Sequence, residues 1–348
     1  MNYYVGIDQG ASTTRAALMD AHGRLLSFRS VCGSSFPYIG IDKALDLIEG
    51  TVSGALADAG VAPGEVSTLV AGMAGIDWEG DEQRLTRALA KRFVGAGFDG
   101  TEIVACNDSI IAYYGGSLSP VGAVISAGTG INAALFAPGE RCFIMGDYLK
   151  DSLQGAGALA ERAYQAIIKA ALGMVAETGL TELFLDFAET DTVRRLSYKF
   201  VCDATFRKSL QTLAPRIIEL SAAGDPVARE VLESFADELC RYFIAALKKM
   251  DMLDLACDIV LTGSVFSGEK NDLTVLVQEG LRRQAKNAGV INAAFESVVG
   301  ACLMGALPKN EVGAPISDGY LDEEQLHNLA VSARELGLVR VVPTLPEN

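Results

Sequence analysis

Residues 4–19 read YVGIDQGASTTRAALM, an apolar run, a tight polar turn and a second apolar run. The apolar pieces at Tyr3–Ile7 and Arg15–Met19 have the length and composition of strands, and Gly10 permits a sharp reversal between them. Leu25–Val31 reads as a third strand, separated from the second by the turn-forming Asp20-Ala-His-Gly23. A three-strand meander that opens a chain rich in later strand–helix alternation predicts a mixed sheet with helices on its faces. Hydroxyls and backbone amides in a turn such as 8–15 can wrap a phosphate, and a strand-end carboxylate such as Asp8 can hold a metal ion through water. An ordinary polar hairpin has the same spelling.

Outward from that turn, apolar positions at Ala44, Leu45, Ile48, Val52, Ala55 and Leu56 predict a helix over Ile41–Ala59. A strand at Ser67–Ala71, a helix at Asp81–Val94, a strand at Glu102–Cys106 and a helix from Asp108 follow. The order then restarts. Gly122–Ser126, Ile131–Phe136 and Cys142–Met145 read as three short strands, and the chain is largely helical from Ser152 to Met250. A strand at Asp258–Leu261 and helices at Asp272–Lys286 and Ala294–Leu307 close this second set; a last helix is expected at Asp322–Glu335. Two similar lobes are therefore expected, 1–118 and 119–307, with 308–348 as a docking helix or tail and with a ligand cleft between the lobes.

The 348 residues suit two domains, and 50% hydrophobic against 21% charged residues is the balance of a chain with a large core. A formal charge of −15 argues against nucleic-acid or membrane-surface partners, while leaving room for a small anion at a local site. The charge-free stretch Ser109–Gly139 is broken by six glycines and two prolines, so it reads as buried strands and turns rather than a spanning helix. Seven scattered cysteines, with no C-x-x-C pair, point to reduced thiols in a cytoplasmic protein. With two histidines, His22 and His327, far apart, a His-dependent triad or H-E-x-x-H zinc site is not expected.

Three further segments carry chemistry. Ser126-Ala-Gly-Thr-Gly-Ile-Asn132 repeats the turn device, with Gly128 and Gly130 permitting close backbone approach and Thr129 offering a hydroxyl. Asn107-Asp108 ends one strand and opens a helix; Asp108 there is either a helix cap or a base for a substrate hydroxyl. Leu261-Thr-Gly-Ser-Val-Phe266 is a strand ending in a glycine turn suited to a flat ring or a sugar. Gly155-Ala-Gly-Ala-Leu-Ala160 matches the loose dinucleotide pattern but follows no clear strand, and no P-loop or G-x-S-x-G elbow occurs.

Together these segments resemble the sugar kinase, Hsp70 and actin superfamily: GIDQGASTTR its first phosphate motif, VISAGTGINAAL its second, IVLTGSVF its adenosine motif. NDSIIAYYGG and ESVVGACLMGAL resemble the N-acetylglucosamine kinase group and the related BadF/BadG/BcrA/BcrD-type ATPases. The resemblance implies an α/β fold of two ribonuclease H-like (actin-like ATPase) lobes, ATP and Mg2+ as cofactors, a small sugar as substrate, an amino sugar such as N-acetylglucosamine first among them, and a homodimer. It implies Asp8 as the Mg2+ organiser, and Gly10, Ser12 and Thr13 at the β- and γ-phosphates, with Gly128, Thr129 and Gly130 opposite. Gly263, Ser264 and Gly300 would border the adenosine. Asp108 would be the general base, with Asn107, Asn132 and Asp147 at the sugar. The chain departs from the pattern at Gly146-Asp-Tyr-Leu-Lys-Asp-Ser152, where Asp147 or Asp151 fills the Gly-Asp position, at Ser35, where an Asn contacts the sugar in N-acetylglucosamine kinases, and at Ala74, where a serine is usual. ATPase activators of related fold carry a C-G-G cluster motif, and none of these cysteines is followed by Gly-Gly.

Overall fold

The computed structural model describes residues 2–139, 141–149, 153, 155–268, 271–307 and 321–340. The strands are β1 Tyr3–Gln9, β2 Thr13–Asp20, β3 Leu25–Cys32, β4 Val66–Met73, β5 Glu102–Asn107, β6 Gly122–Ala127, β7 Ile131–Ala137, β8 Arg141–Ile144, β9 Asp258–Thr262 and β10 Gly289–Asn292. The helices are α1 Phe36–Ile39, α2 Ile41–Ala59, α3 Asp81–Val94, α4 Asp108–Tyr114, α5 Gly155–Ala171, α6 Gly179–Phe187 and α7 Val193–Cys202. They continue as α8 Ala204–Ser209, α9 Ala214–Ala222, α10 Pro226–Lys249, α11 Asp272–Arg282, α12 Ser297–Ala306 and α13 Glu323–Glu335.

Contacts divide the chain into two units. Unit 1 holds the described residues of 1–124, 138–140 and 292–348, and unit 2 those of 125–137 and 141–291. Each carries a five-stranded sheet, in the orders β3-β2-β1-β4-β5 and β10-β9-β6-β7-β8. In the first sheet β1–β2 and β2–β3 are antiparallel, whereas β1–β4 and β4–β5 are parallel, so the α/β mixed architecture expected from the meander is present.

The first sheet is buried on both faces, and consecutive residues of β2 show how. Ala16 and Leu18 point into one cluster with Ile48 and Val52 of α2 and Leu85, Leu89 and Phe93 of α3. Ala17 and Met19 point the other way, against Val298, Val299 and Cys302 of α12 and Leu329 and Ala333 of α13. The two-residue period of a strand makes this sorting automatic.

The structure differs from the sequence expectation in three places. β1 runs on to Gln9 and β2 starts at Thr13, so Asp8 and Arg15 are ladder partners and only residues 10–12 form the turn. β10 has four residues, too short for its alternation to register in sequence. Residues 292–307 lie in unit 1 rather than with the second lobe, and the division falls inside β6 rather than at 118/119. The reason is hydrophobic: α12 is apolar on nearly every side and covers the sheet face that α2 and α3 leave open.

α12 crosses α4 closely because Gly300 has no side chain. A Cβ there would lie 2.0 Å from the Ile111 carbonyl and 2.6 Å from the Gly115 nitrogen. Gly300→Ala should therefore cost about 1–3 kcal/mol or more, because backbone rather than a side chain must move. Gly305→Ala on the same helix, whose Cβ would first meet a Val70 methyl at 3.3 Å, is the mild comparison. Urea-denaturation midpoints of the two variants measure the difference, and equal midpoints would refute the account.

Candidate active site

Parallel register sets one edge of the site. Asp8 in β1 is level with Gly72 in β4, and Gly72 with Cys106 in β5; Met73 is likewise level with Asn107. The carboxyl ends of β1 and β5 thus bring Asp8, Asn107 and Asp108 to the same edge, the usual ligand edge of an α/β sheet.

The structure separates the two readings of Asn107-Asp108. Asn107 is the cap of α4: its Oδ1 accepts from the Ser109 backbone N–H at 2.9 Å and from the Ser109 hydroxyl. Its Nδ2 donates to the Ile76 carbonyl at 3.0 Å and to Asp77 Oδ1 at 2.9 Å. Asp108 therefore stands in the first turn of α4 with its carboxyl released from the capping position.

Both carboxyl groups are pushed upward. Burial raises Asp8 from an ordinary value of 3.8 to about 6, opposed by Arg15, reinforced by Glu296 and opposed again by Arg340. Burial also raises Asp108 from 3.8 to about 7, reinforced by the charges of Asp8 and Asp77 and eased by the N–H groups of Ser109 and Asp108 itself. Like charges at a desolvated edge resist joint ionisation, and the charge of Asp8 adds to the rise at Asp108. Asp8 keeps 17% of its side chain exposed, which leaves an ion or water a way in. Such an edge can accept a proton near neutral pH and can attract a cation.

The turn beside Asp8 is held from below. The Gly10 N–H donates to Thr13 O at 2.9 Å, the Gly33 N–H to Ser12 O at 3.1 Å, and the Ser34 hydroxyl to Ala11 O at 2.8 Å. Ser12 is exposed within the turn, and Thr13 is the first residue of the β2 ladder. Ser35, in the same 33–40 loop, buries its hydroxyl with no hydrogen-bond partner among the described residues. A buried hydroxyl left that way is a place for water or ligand.

In unit 2, the Gly128 N–H donates to Gly130 O at 2.8 Å, and the Ala156 N–H at the start of α5 donates to Gly128 O at 2.8 Å. A Cβ on Gly155 would lie 2.4 Å from Gly130 O, which explains the glycine at 155 without a dinucleotide. Gly263 has φ +99°, and a Cβ there would lie 2.1 Å from Ala127 O. Glycine at these contacts brings the Gly128–Gly130 turn against Gly263 and Ser264. Thr129, Ser264 and Val265 then line a cavity of about 210 Å³ with Ala156 and with Gln211, Thr212, Ala214 and Pro215 of the helical segment. No pattern in residues 204–222 announces those last four.

The remaining expected residues fall apart into the two units. Asn132 is in unit 2, where its Oδ1 accepts from the Ala133 N–H at 2.8 Å, whereas Asn107 and Asp108 are in unit 1. Asp147 lies in the 3-10 turn Gly146–Tyr148, with its side chain outside the described residues; Asp151 is outside them altogether. Gly300 is in unit 1 at the α12–α4 crossing, and that contact accounts for the glycine without a nucleotide.

A model of the BadF/BadG/BcrA/BcrD ATPase family matches residues 5–305. The chain belongs to this family. Among characterised relatives, glucosamine kinase GspK of Vibrio cholerae is 25% identical over 289 residues, 83% of this chain and 93% of that protein. N-acetyl-D-glucosamine kinase of Dictyostelium discoideum is 23% identical over 318 residues, 86% and 97% of the two chains. Solved structures extend the likeness in fold alone. A candidate N-acetylglucosamine kinase from Chromobacterium violaceum has a TM-score of 0.63 at 21% identity, covering 87% of this chain and 98% of that one. A ROK family glucokinase from Streptomyces griseus, solved with glucose and AMPPNP, has a TM-score of 0.55 at 17% identity, covering 87% and 99%. The actin-like architecture of this BadF-family chain agrees with both.

The carboxylate pair has a measurable cost in this family member. A carboxyl whose folded value lies above its unfolded value stabilises the fold at acid pH and loses that contribution as pH rises through the folded value. For Asp108 the window runs from about 4 to about 7. In metal-free buffer, Asp108→Asn should raise the melting temperature at pH 8 by about 3 °C or more and change it little at pH 4. A variant that melts at or below wild type at pH 8 would contradict the repulsion.

Proposed function

We propose that the protein is an ATP-dependent kinase that transfers the γ-phosphoryl group to a hydroxyl of a small amino sugar. The observation that carries the reading is Asp108, freed from capping by Asn107 and raised to about 7 beside Asp8, where a base for a hydroxyl proton is effective at neutral pH. The two curated relatives, a glucosamine kinase and an N-acetyl-D-glucosamine kinase, support the substrate class.

In this reading Asp108 accepts the proton of the sugar hydroxyl as the oxygen attacks phosphorus. Asn107 orients the edge by its bonds to Ile76 and Asp77, and Ser35 offers its buried hydroxyl to the sugar. Unit 2 receives the nucleotide: the amides of Thr129 and Gly130 and the Thr129 hydroxyl at the phosphates, with Gly128 closing the turn, and Gly263, Ser264 and the cavity bordered by Gln211 and Thr212 at the adenosine. The family resemblance supports Gly10, Ser12 and Thr13 as phosphate contacts, and Asn132 and Asp147 as sugar contacts.

The residues fit Mg2+. Asp8 is desolvated, reachable and repelled by a neighbouring carboxylate, all of which a cation relieves. Among the described residues no group of three or more His, Cys, Asp or Glu side chains could hold a metal, and Mg2+ is commonly held by one or two carboxylates, water and substrate phosphates. Bound there, Mg2+ would neutralise charge on the transferring phosphoryl group. Seven unbridged cysteines support a reducing, cytoplasmic setting, and the family resemblance supports a homodimer. Among the described residues no helix is long and apolar enough to cross a membrane.

A coupled assay of ADP release with glucosamine, N-acetylglucosamine, N-acetylmannosamine and glucose tests the reading. An amino sugar should raise ADP release well above the ATP-only rate, and Asp108→Asn should lower kcat by roughly 100- to 10,000-fold while nucleotide still binds. No stimulation by any sugar, with ATP hydrolysed at an unchanged rate, would favour an ATPase that drives a partner enzyme instead. As a second check, kcat/KM for the sugar should fall toward acid pH with a midpoint near that of the Asp8–Asp108 pair, between about 6 and about 7.

A further inference from the structure

The family match ends at residue 305, yet the chain folds back onto unit 1 well beyond it. α13 docks on the β2–β3 connection through three bonds: Leu25 N–H to Ser332 Oγ at 2.9 Å, Gln325 Nε2 to Ala21 O at 2.9 Å, and Asn328 Nδ2 to His22 O at 3.1 Å. After α13, residues 338–340 run antiparallel to 294–296. Phe295 bridges Val339, the Glu296 N–H donates to Leu338 O at 2.9 Å, and the Arg340 N–H donates to Ala294 O at 2.8 Å. Leu338 is buried with α12 and α13, so this short ladder is anchored in the core.

The ladder presents Glu296 and Arg340 to the foot of β1. One oxygen of Glu296 accepts from Arg340 Nη2 at 3.0 Å and from Arg15 Nη1 at 3.1 Å. Arg15 Nη1 in turn stands 3.8 Å from Asp8 Oδ2. The charges alternate along the row Asp8, Arg15, Glu296, Arg340, and each side chain is at most about a third exposed, at 17%, 32%, 22% and 18%. Arg15 is thus hydrogen-bonded to Glu296 and ion-paired with Asp8 at 3.8 Å, beyond hydrogen-bond distance. Were it free to move closer, it would occupy the Asp8 oxygens with charge-assisted hydrogen bonds.

We propose that Arg340 is a positioning residue: by bonding Glu296 it fixes Arg15 off Asp8 and keeps the Asp8 carboxylate open to a cation. The segment after the family match is then part of the phosphate-handling machinery. This rests on the reading of Asp8 as the cation-organising group under the proposed function.

The direction of one measurement separates positioning from a simple field effect. Removing a positive charge should draw a cation more strongly to Asp8; releasing Arg15 onto Asp8 should make the cation compete harder. For Arg340→Gln in the full chain, the Mg2+ concentration giving half-maximal ADP affinity, titrated by calorimetry, should rise about threefold or more. Arg340→Lys, which keeps a donor, should recover part of the loss. In a Glu296→Ala background, which removes the shared acceptor oxygen, adding Arg340→Gln should change the Mg2+ requirement less than about twofold, because the link is already cut. Ser332→Ala, which loosens α13 without touching the charge row, should lower the melting temperature but leave the Mg2+ requirement as in wild type. An unchanged or lower requirement in Arg340→Gln, an equal effect in the Glu296→Ala background, or the same rise in Ser332→Ala would each overturn the proposal. Binding reads it independently of sugar turnover, so a wild type that phosphorylates no sugar would fail the kinase reading and leave this one standing or falling on its own titration.

Discussion

The structure turns on two carboxylates, Asp8 and Asp108, made to share a desolvated sheet edge. Parallel register between β1, β4 and β5 forces the meeting, since level strands end at one height. Burial then raises both groups toward neutral pH, helped at Asp108 by the charges of Asp8 and Asp77 and at Asp8 by that of Glu296. The surrounding structure is arranged around that conflict. Asn107 takes the capping duty and leaves the Asp108 carboxyl available, Gly300 lets α12 lie against the short helix that carries Asp108, and Arg15 is held near Asp8 without sealing it. Keeping two such groups together costs stability when both are charged, a cost that a proton or a cation relieves.

An overall charge of −15 is compatible with a phosphate-rich ligand for the same reason. In the proposed reading, recognition relies on backbone amides, hydroxyls and a bound cation rather than on a basic patch. In unit 2 the glycines at 155 and 263 make the point structurally: each fills the space where a Cβ would strike a carbonyl of the 127–130 turn. Close packing of main chain on main chain fixes where the amides point, which is the requirement for holding an anion without cationic side chains.

Much of this was legible from residues alone. The meander, the following βα units, the long helical segment and the two glycine turns all follow from period and punctuation, and Asp8 and Asp108 stand out as polar residues at strand ends. Other features carried no such mark. Arg15 and Glu296 are 281 residues apart, and nothing local to either indicates a shared bond. Gln211 and Thr212 sit in a helical run whose spelling is that of any amphipathic segment. The family resemblance implies Gly300 at the adenosine, and nothing local to it in sequence indicates its close contact with the backbone of α4.

Short-range periodicity and residue type mark most of the strands and helices, the apolar face of each and the residues with reactive chemistry, whereas β10 is too short to register. Tertiary structure alone decided that 292–307 and 321–340 return to the first sheet, that Asn107 rather than Asp108 caps α4, and that Arg340 completes a charge row begun at Asp8. These depend on which apolar faces find one another across long stretches of chain. Burial also sets the carboxyl values, since water must be displaced by distant segments before a charge on Asp8 or Asp108 becomes costly.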